Sequence, residues 1–376
     1  MDVKPANPVE LTMRPYRNRR PVSRLEIYLR RIKKGFSLLF YLTIAPFILF
    51  VFDQKMRWGA GSTRILKREV SGQKILGRRV VFYVHYMRSG RVTVMVRRQL
   101  EEYVKIGFDV IFITMSEKMD QADWDSLADI CYLRIQRRNY GRDFGAWADI
   151  LPEVCLQYPN IDEILLVNDS ILGPIRSLDP LFLALRDGPG FSGLTESFQN
   201  GLHLQSYFLL INGAAAISDL ILFFNALELS IDKKRMIRRG EVAITKYMME
   251  KGHSVRVLYS TEMLENSTVN DEANFACLRT MFPGFLSASL REKRDFSRLE
   301  TLFLFRLNMF NCPVNPTHNY WNVLVKNFNF PFIKTELIQI NPSNIPDVSD
   351  WVQLVDENSV CSVNEIMQHL VEAQRR

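Results

Sequence analysis

Three short polar stretches, each set directly after an apolar run, carry the residues with chemical capacity. The first is Asn139-Tyr140-Gly141-Arg142-Asp143-Phe144-Gly145-Ala146-Trp147. An Arg beside a helix start can hold a phosphate, and an Asp there can hold ribose or sugar hydroxyls. The same residues also suit an ordinary loop with an N-cap Asp and a surface Arg. The second is Asn168-Asp169-Ser170, followed by Gly173-Pro174. A carboxylate ending a buried strand is costly without a partner, and a divalent cation with a diphosphate is the usual one. The competing reading is an Asx turn that closes the strand. The third is a set: Thr195-Glu196-Ser197, then His203, Gln205 and Ser206, then Glu241 after Arg238-Arg239-Gly240. Glu241 or Glu196 can act as a general base on a hydroxyl. A carboxylate at a helix start can equally serve the helix dipole.

The elements that must present these groups follow from hydrophobic period. Val80–His85, Val110–Met115, Ile130–Ile135 and Glu163–Val167 are short continuous apolar runs, as strands of a buried parallel sheet are. Between them Val92–Ile106, Asp123–Ala128 and Gly145–Tyr158 have helical period. The alternation predicts an α/β fold, an open and mostly parallel sheet flanked by helices on both faces. Ligands of such sheets bind beyond the carboxyl ends of the strands, where the three polar stretches fall. Further on, Phe191–Thr195, Ser206–Ile211 and Ser254–Tyr259 read as strands, and Ala215–Leu229 and Glu241–Lys251 as helices. From about residue 271 the chain reads as an irregular C-terminal extension covering one face of the sheet.

Several chemistries lack their signatures. There is no G-x-G-x-x-G at the first stretch, and no P-loop, G-x-S-x-G or H-E-x-x-H anywhere. The cysteines, Cys131, Cys155, Cys277, Cys312 and Cys361, are odd in number and widely spaced. They read as reduced, buried thiols rather than a disulfide framework or zinc site.

Charge is unevenly divided. The 376 residues carry a net +7, but residues 1–79 hold 18 Lys and Arg against 5 Asp and Glu, so the remainder is acidic. Within this basic arm, residues 21–34 have amphipathic helical spacing, with Ser23 and Glu26 in capping-box register. Phe36–Phe52 follows without a charged residue. It is short for a span and far from the N-terminus for a signal peptide. Basic residues on both flanks suit a helix that enters and leaves one leaflet, or lies in the interface on anionic lipids. A true span and a helix packed in protein are the alternatives. A nucleic-acid partner is disfavoured, because the body is acidic and has no recognisable binding module. The expected organisation is a membrane-associating arm over 1–57, a basic linker over 58–77, a catalytic domain over 78–270 and the extension over 271–376. Oligomeric state is not encoded in any feature of the sequence.

Taken in order, RRNYGRDFGAW, ILLVNDSILGPI, GLTES, HLQSYFLLI, RRGEVAIT, NPTHNYW and FPFIKTELI give the chain a resemblance over residues 78–342. It resembles the rhamnan synthesis protein F family of bacterial polysaccharide glycosyltransferases. The resemblance implies a GT-A-like fold and an inverting enzyme. Such an enzyme would move a deoxyhexose or other hexose, often rhamnose, from a nucleotide sugar to a polysaccharide or lipid-linked acceptor. It implies work at the cytoplasmic face of the inner membrane. It implies that Gly141, Arg142 and the helix start at Phe144–Gly145 hold the donor diphosphate, while Asp143 and Asn139 contact nucleoside or sugar. Asn168 and Asp169 would orient the diphosphate with Mg²⁺ or Mn²⁺, the metal on Asp169. Glu241, ranked above Glu196, would be the base, and His203, Gln205 and Ser206 would position sugar hydroxyls. One departure stands out. Where the GT-A pattern has Asp-x-Asp, this chain has Asn168-Asp169-Ser170, so the diphosphate is held either by a metal on Asp169 or by Arg142 and other cations. A non-catalytic glycan- or lipid-binding protein of the same fold is the alternative.

Overall fold

The structure is a computed structural model. It describes residues 64–71, 76–272, 274–275, 315–343, 345, 348–356 and 358–374, with isolated positions at 47, 48, 50, 51, 53 and 300. The amphipathic segment 21–34, most of the Phe36–Phe52 run, Cys277 and Cys312 lie outside the described residues. The chain divides into residues 1–56 and residues 57–376, and the whole sheet belongs to the second unit. Among the described residues, no helix is long and apolar enough to cross a membrane.

The strands are β1 (Ile65–Val70), β2 (Arg79–His85), β3 (Asp109–Thr114), β4 (Cys131–Arg137), β5 (Glu163–Asn168), β6 (Ile171–Leu172), β7 (Gly190–Ser197), β8 (His203–Leu204), β9 (Phe208–Asn212), β10 (Val255–Tyr259) and β11 (Ile333–Lys334). The large sheet runs β1-β4-β3-β2-β5-β9-β7-β10, with β8 hydrogen-bonded to β7. β2, β3, β4, β5, β7 and β10 run one way, whereas β1, β8 and β9 run against them. The sheet is therefore mixed, with a parallel majority. β9 breaks the expected βαβ rhythm because the chain returns from β7 to β9 without a crossover helix. β1 lies inside the stretch read as a linker. Its basic residues conceal a period of two, visible in its alternation of half-buried and exposed positions.

Alternate strand residues serve two cores. Val81, Tyr83, Val110, Phe112, Leu165 and Val167 join Met95, Val96 and Leu100 of the helix Val94–Lys105. The same cluster takes in Trp321, Leu324, Trp351, Ile366 and Leu370 from the C-terminal part. On the other face the helices Arg142–Gln157, Ala214–Ala226 and Ala243–Glu250 pack together. Cys131, Cys155 and Cys361 are buried.

The helix expected to open at Glu241 starts earlier. Asp232 caps it by accepting from the Arg235 amide at 2.7 Å, and it runs from Lys233 through a π-helical turn, Ile237–Val242, to Glu250. Gly240 suggests a boundary in the sequence, but its structural reason is contact. A Cβ at Gly240 would lie 2.5 Å from the Phe144 ring. Glu241 is thus mid-helix, and the helix-dipole explanation for it falls away. Gly240→Ala should lose about 1–3 kcal/mol by overpacking. Denaturant unfolding checks this: helix propensity alone would raise stability, and Phe144→Leu should recover part of the loss.

Candidate functional site

The sheet order fixes where a ligand can sit. From β2 the chain steps outward to β3 and β4, then crosses to β5 on the other side of β2. The crevice between the carboxyl ends of β2 and β5 is the topological switch point. One side chain joins its two walls: Asp169, just past β5, accepts the Tyr86 amide, just past β2, at 2.6 Å. The Asp169 amide also donates to Val84 O at 3.1 Å.

Arg137, at the end of β4, sets the approach to the first polar stretch. It is buried, and its guanidinium donates to Asp149 Oδ2 at 2.6 Å and to Tyr140 O at 2.9 Å. Asp149 also takes Arg64 at 2.8 Å. This pins the turn at Tyr140, and the helix starts directly after it. Gly141 has φ +77°, and a Cβ there would lie 2.9 Å from Gly145 Cα. Arg142 is the first helical residue, with φ +54°, and its side chain is exposed, as is that of Asn139. The helix therefore begins three residues before the Gly145 expected from sequence, and Asp143 lies in its first turn. Asp143 turns inward and accepts from Asn168 Nδ2 at 2.9 Å. The first and second polar stretches thus meet.

A third wall comes from far along the chain. β11 pairs antiparallel with β6, placing Lys334 opposite Ile171. Ile175 N donates to Pro331 O at 2.8 Å and Thr335 N to Ser170 O at 3.0 Å, which extends the zipper on both sides. Lys334 Nζ then donates to Ser170 Oγ at 2.8 Å and lies 4.7 Å from the centroid of the Tyr207 ring. Asn168 Oδ1 accepts from the Ser170 amide at 3.1 Å and from its hydroxyl. The Asx turn and the functional arrangement therefore coexist.

Glu241 closes the group. Its Oε1 accepts from both the amide and the hydroxyl of Ser206 at 2.9 Å, and its charge acts on Asp143 and Lys334. The neighbouring Gln205 bridges Thr195 Oγ1 at 2.7 Å and Asn315 at 3.1 Å, and Thr195 also meets Tyr207 OH at 2.8 Å. Glu196 is used differently: it accepts the Thr261 amide at 2.9 Å, at the first turn of the helix Thr261–Asn270. His203 is buried and pairs with Gly201 O at 2.8 Å.

Sequence reading passed over Lys334, Tyr207 and Asn315. Lys334 follows the apolar run Phe330-Pro331-Phe332-Ile333, so the rule that selected Asp169 selects it too.

The charges of the site are under tension. Burial raises the Asp143 carboxyl to about 6, with Glu241 adding and Lys334 opposing. Burial likewise raises Asp169 to about 7, with Asp143 adding and the Tyr86 amide opposing. Burial lowers Lys334 to about 8, against the pull of Glu241, Asp143 and Glu336. All three side chains keep partial surface exposure but are ringed by protein, which withholds water from the charged forms. The donors are hard oxygens. Among the described residues no three His, Cys, Asp or Glu side chains converge as metal ligands. Asp143 and Asp169 are two carboxylates, the number Mg²⁺ takes from protein when phosphate and water complete its shell.

These features define a mixed α/β protein with a cluster of polar and charged side chains at the switch point of its sheet. Residues 110–283 match the family described as rhamnan synthesis protein F (RgpF). The chain is 30% identical over 240 residues to the virulence protein VirA of Vibrio anguillarum, covering 61% of this chain and 69% of VirA. It is 28% identical over 205 residues to the uncharacterized protein y4gN of Sinorhizobium fredii, covering 53% of this chain and 52% of that one. A solved structure described as a nucleotide-diphospho-sugar transferase of Desulfovibrio desulfuricans superposes with a TM-score of 0.30 at 13% identity, over 47% of this chain and 79% of that one. That likeness is too slight to bear on the fold. The chain belongs to the rhamnan synthesis protein F family.

The raised carboxyls set a pH dependence. Folded Asp143 and Asp169 bind protons that the unfolded chain has released above about pH 4. Their contribution to stability is full below that pH and is lost as pH rises through about 6 and 7. Lys334 is depressed, so its contribution is present above its unfolded value and lost as pH falls through about 8. Asp169→Asn, which can still accept the Tyr86 amide, should gain Tm relative to the parent between pH 5 and pH 7.5. An unchanged difference between the two pH values would contradict the assignment.

Proposed function

We propose that the protein is a nucleotide-sugar glycosyltransferase of GT-A-like fold. It moves a hexose or deoxyhexose, rhamnose first among the candidates, to a polysaccharide or lipid-linked acceptor with inversion. One observation carries the reading: Glu241, held by Ser206, acts through its charge on Asp143 and Lys334 beside the switch point. Family membership supports the reaction class.

The chemistry is a single displacement. Two hydrogen bonds from Ser206 fix Oε1 of Glu241, and Oε2 is the oxygen that would take the acceptor's proton. As the acceptor oxygen attacks the anomeric carbon, its proton passes to Oε2. The bond from that carbon to the diphosphate breaks, and the electron pair leaves with the nucleoside diphosphate. Asn168 and the helix start at Arg142 orient the diphosphate, and Asn139 and Asp143 contact nucleoside or sugar. Gln205, fixed by Thr195 and Asn315, presents an amide to sugar hydroxyls, and His203 braces the same strand pair. Glu196, engaged at Thr261, ranks below Glu241 as the base. Asp169 and Asp143 would hold a divalent cation, with phosphate and water completing its shell. Mg²⁺ or Mn²⁺ bound there would neutralise charge developing on the diphosphate.

Glu241→Gln keeps an acceptor for the Ser206 donors and removes the base. Transfer should fall by about 10²–10⁴-fold while nucleoside diphosphate affinity stays within a factor of about two. Turnover near the parent rate would remove Glu241 from the mechanism.

The basic arm fits the same reading. Nucleotide sugars are cytosolic, and residues 1–57 would hold the domain at the cytoplasmic face of the inner membrane, on anionic lipids. Removing residues 1–57 should release the protein from membranes with donor binding intact. Retention of the truncated chain in the membrane fraction would refute the tether.

A further inference from the structure

Lys334, a half-buried cation, is held differently from the buried arginines of this fold. Arg137 meets Asp149 at 2.6 Å, and Arg134 meets Glu69 at 3.0 Å. Lys334 has charge partners in Glu241, Asp143 and Glu336, yet among the described residues no carboxylate lies within 4.0 Å of its Nζ. Its hydrogen bond to Ser170 Oγ uses one N–H. An ammonium has three, so two remain for something else. The Tyr207 ring supports the cation from one side, and the β6–β11 pairing fixes its height above the strand ends. An ammonium is compact, and phosphate binding as a point charge is a common use of Lys. Ser170 lies two residues past Asn168, the last residue of β5, so an anion reaching Lys334 lies at the carboxyl end of β5.

Resting on the glycosyltransferase reading, we propose that Lys334 binds the donor's diphosphate and stabilises it as it departs. The two remaining N–H groups point the ammonium at the bridging and terminal phosphate oxygens. The charge that develops when the anomeric bond breaks then meets a fixed cation already in place. This adds a binding residue from a segment more than 160 residues beyond the Asn-Asp-Ser stretch. It also gives the C-terminal part a direct share in the site. Glu241, Asp143 and Glu336 keep the ammonium charged, while Lys233 acts against it.

Isothermal titration of the full chain with UDP, GDP and dTDP, and with the matching monophosphates, tests this. Titrations are run with Mg²⁺ and with EDTA. The parent should bind one diphosphate more tightly than its monophosphate. Lys334→Met should weaken that diphosphate by about tenfold or more, the scale of one charge-assisted hydrogen bond. Its monophosphate affinity should change by less than about threefold, so the preference between the two collapses. Lys334→Arg should retain most of the preference. A merely structural lysine would weaken both ligands together or neither, and either result overturns the proposal. Lys334→Gln provides a second neutral variant should Lys334→Met not fold. If the parent binds none of the diphosphates, the glycosyltransferase reading itself fails, and the role of Lys334 with it. If the parent binds and the neutral variants keep the preference, only the role of Lys334 fails.

Discussion

A two-residue antiparallel pairing, β6 with β11, is the constraint on which the rest of the crevice depends. It brings a cation from the C-terminal part onto the end of β5, where it acts on Asp143, Asp169 and Glu241 beside the charge of Arg142. Like charges gathered out of water must be protonated, separated or balanced. Here all three responses are visible. The carboxyls of Asp143 and Asp169 shift upward. Glu241 is drawn off to Ser206. Lys334 supplies the balance at a distance, without closing into a contact ion pair. Under the proposed function, a site in that condition would take an anionic ligand with its counterion.

The scaffold explains why such strain is tolerated. Each wall of the crevice is fixed by interactions buried well away from it. Arg137 and Asp149 lock the turn before Asp143, and the loss of Asp149 would strand the buried Arg137 charge, a cost of about 3–5 kcal/mol. Phe144 packs edge-on against Trp147 and fills the space that Gly240 leaves open, which sets the helix bearing Glu241 against the helix bearing Asp143. Aromatic contacts among Tyr259, Phe328, Phe330 and Phe332 carry the C-terminal segment up to Lys334. Site geometry is thus held by packing, and the site charges are free to serve a ligand.

Much of this was legible in the sequence, for local reasons. Continuous apolar runs marked β2 to β5, because strands buried on both faces have no polar side to show. The rule that ligands sit beyond strand ends then singled out Asp143, Asn168, Asp169 and Ser206, which the structure brings together through hydrogen bonds and charge. What was hidden is non-local. β1 alternates too weakly beneath its charges to announce itself. Gly240 looks like punctuation, because the ring it accommodates is about a hundred residues away in sequence. Glu196 and Glu241 are alike as isolated carboxylates, and in the structure their partners, Thr261 and Ser206, distinguish them. Lys334 was a single lysine in an apolar context, with nothing nearby to say that it would meet Ser170.

The central claim is that this crevice activates a nucleotide sugar, and release of nucleoside diphosphate measures it directly. The purified chain would be incubated with dTDP-, GDP- and UDP-sugars, with and without Mn²⁺, and the freed diphosphate quantified. The account predicts release from one nucleotide class above the uncatalysed rate, abolished by Glu241→Gln when acceptor is present. No release from any donor by a folded protein, with acceptor glycolipid supplied, would contradict it.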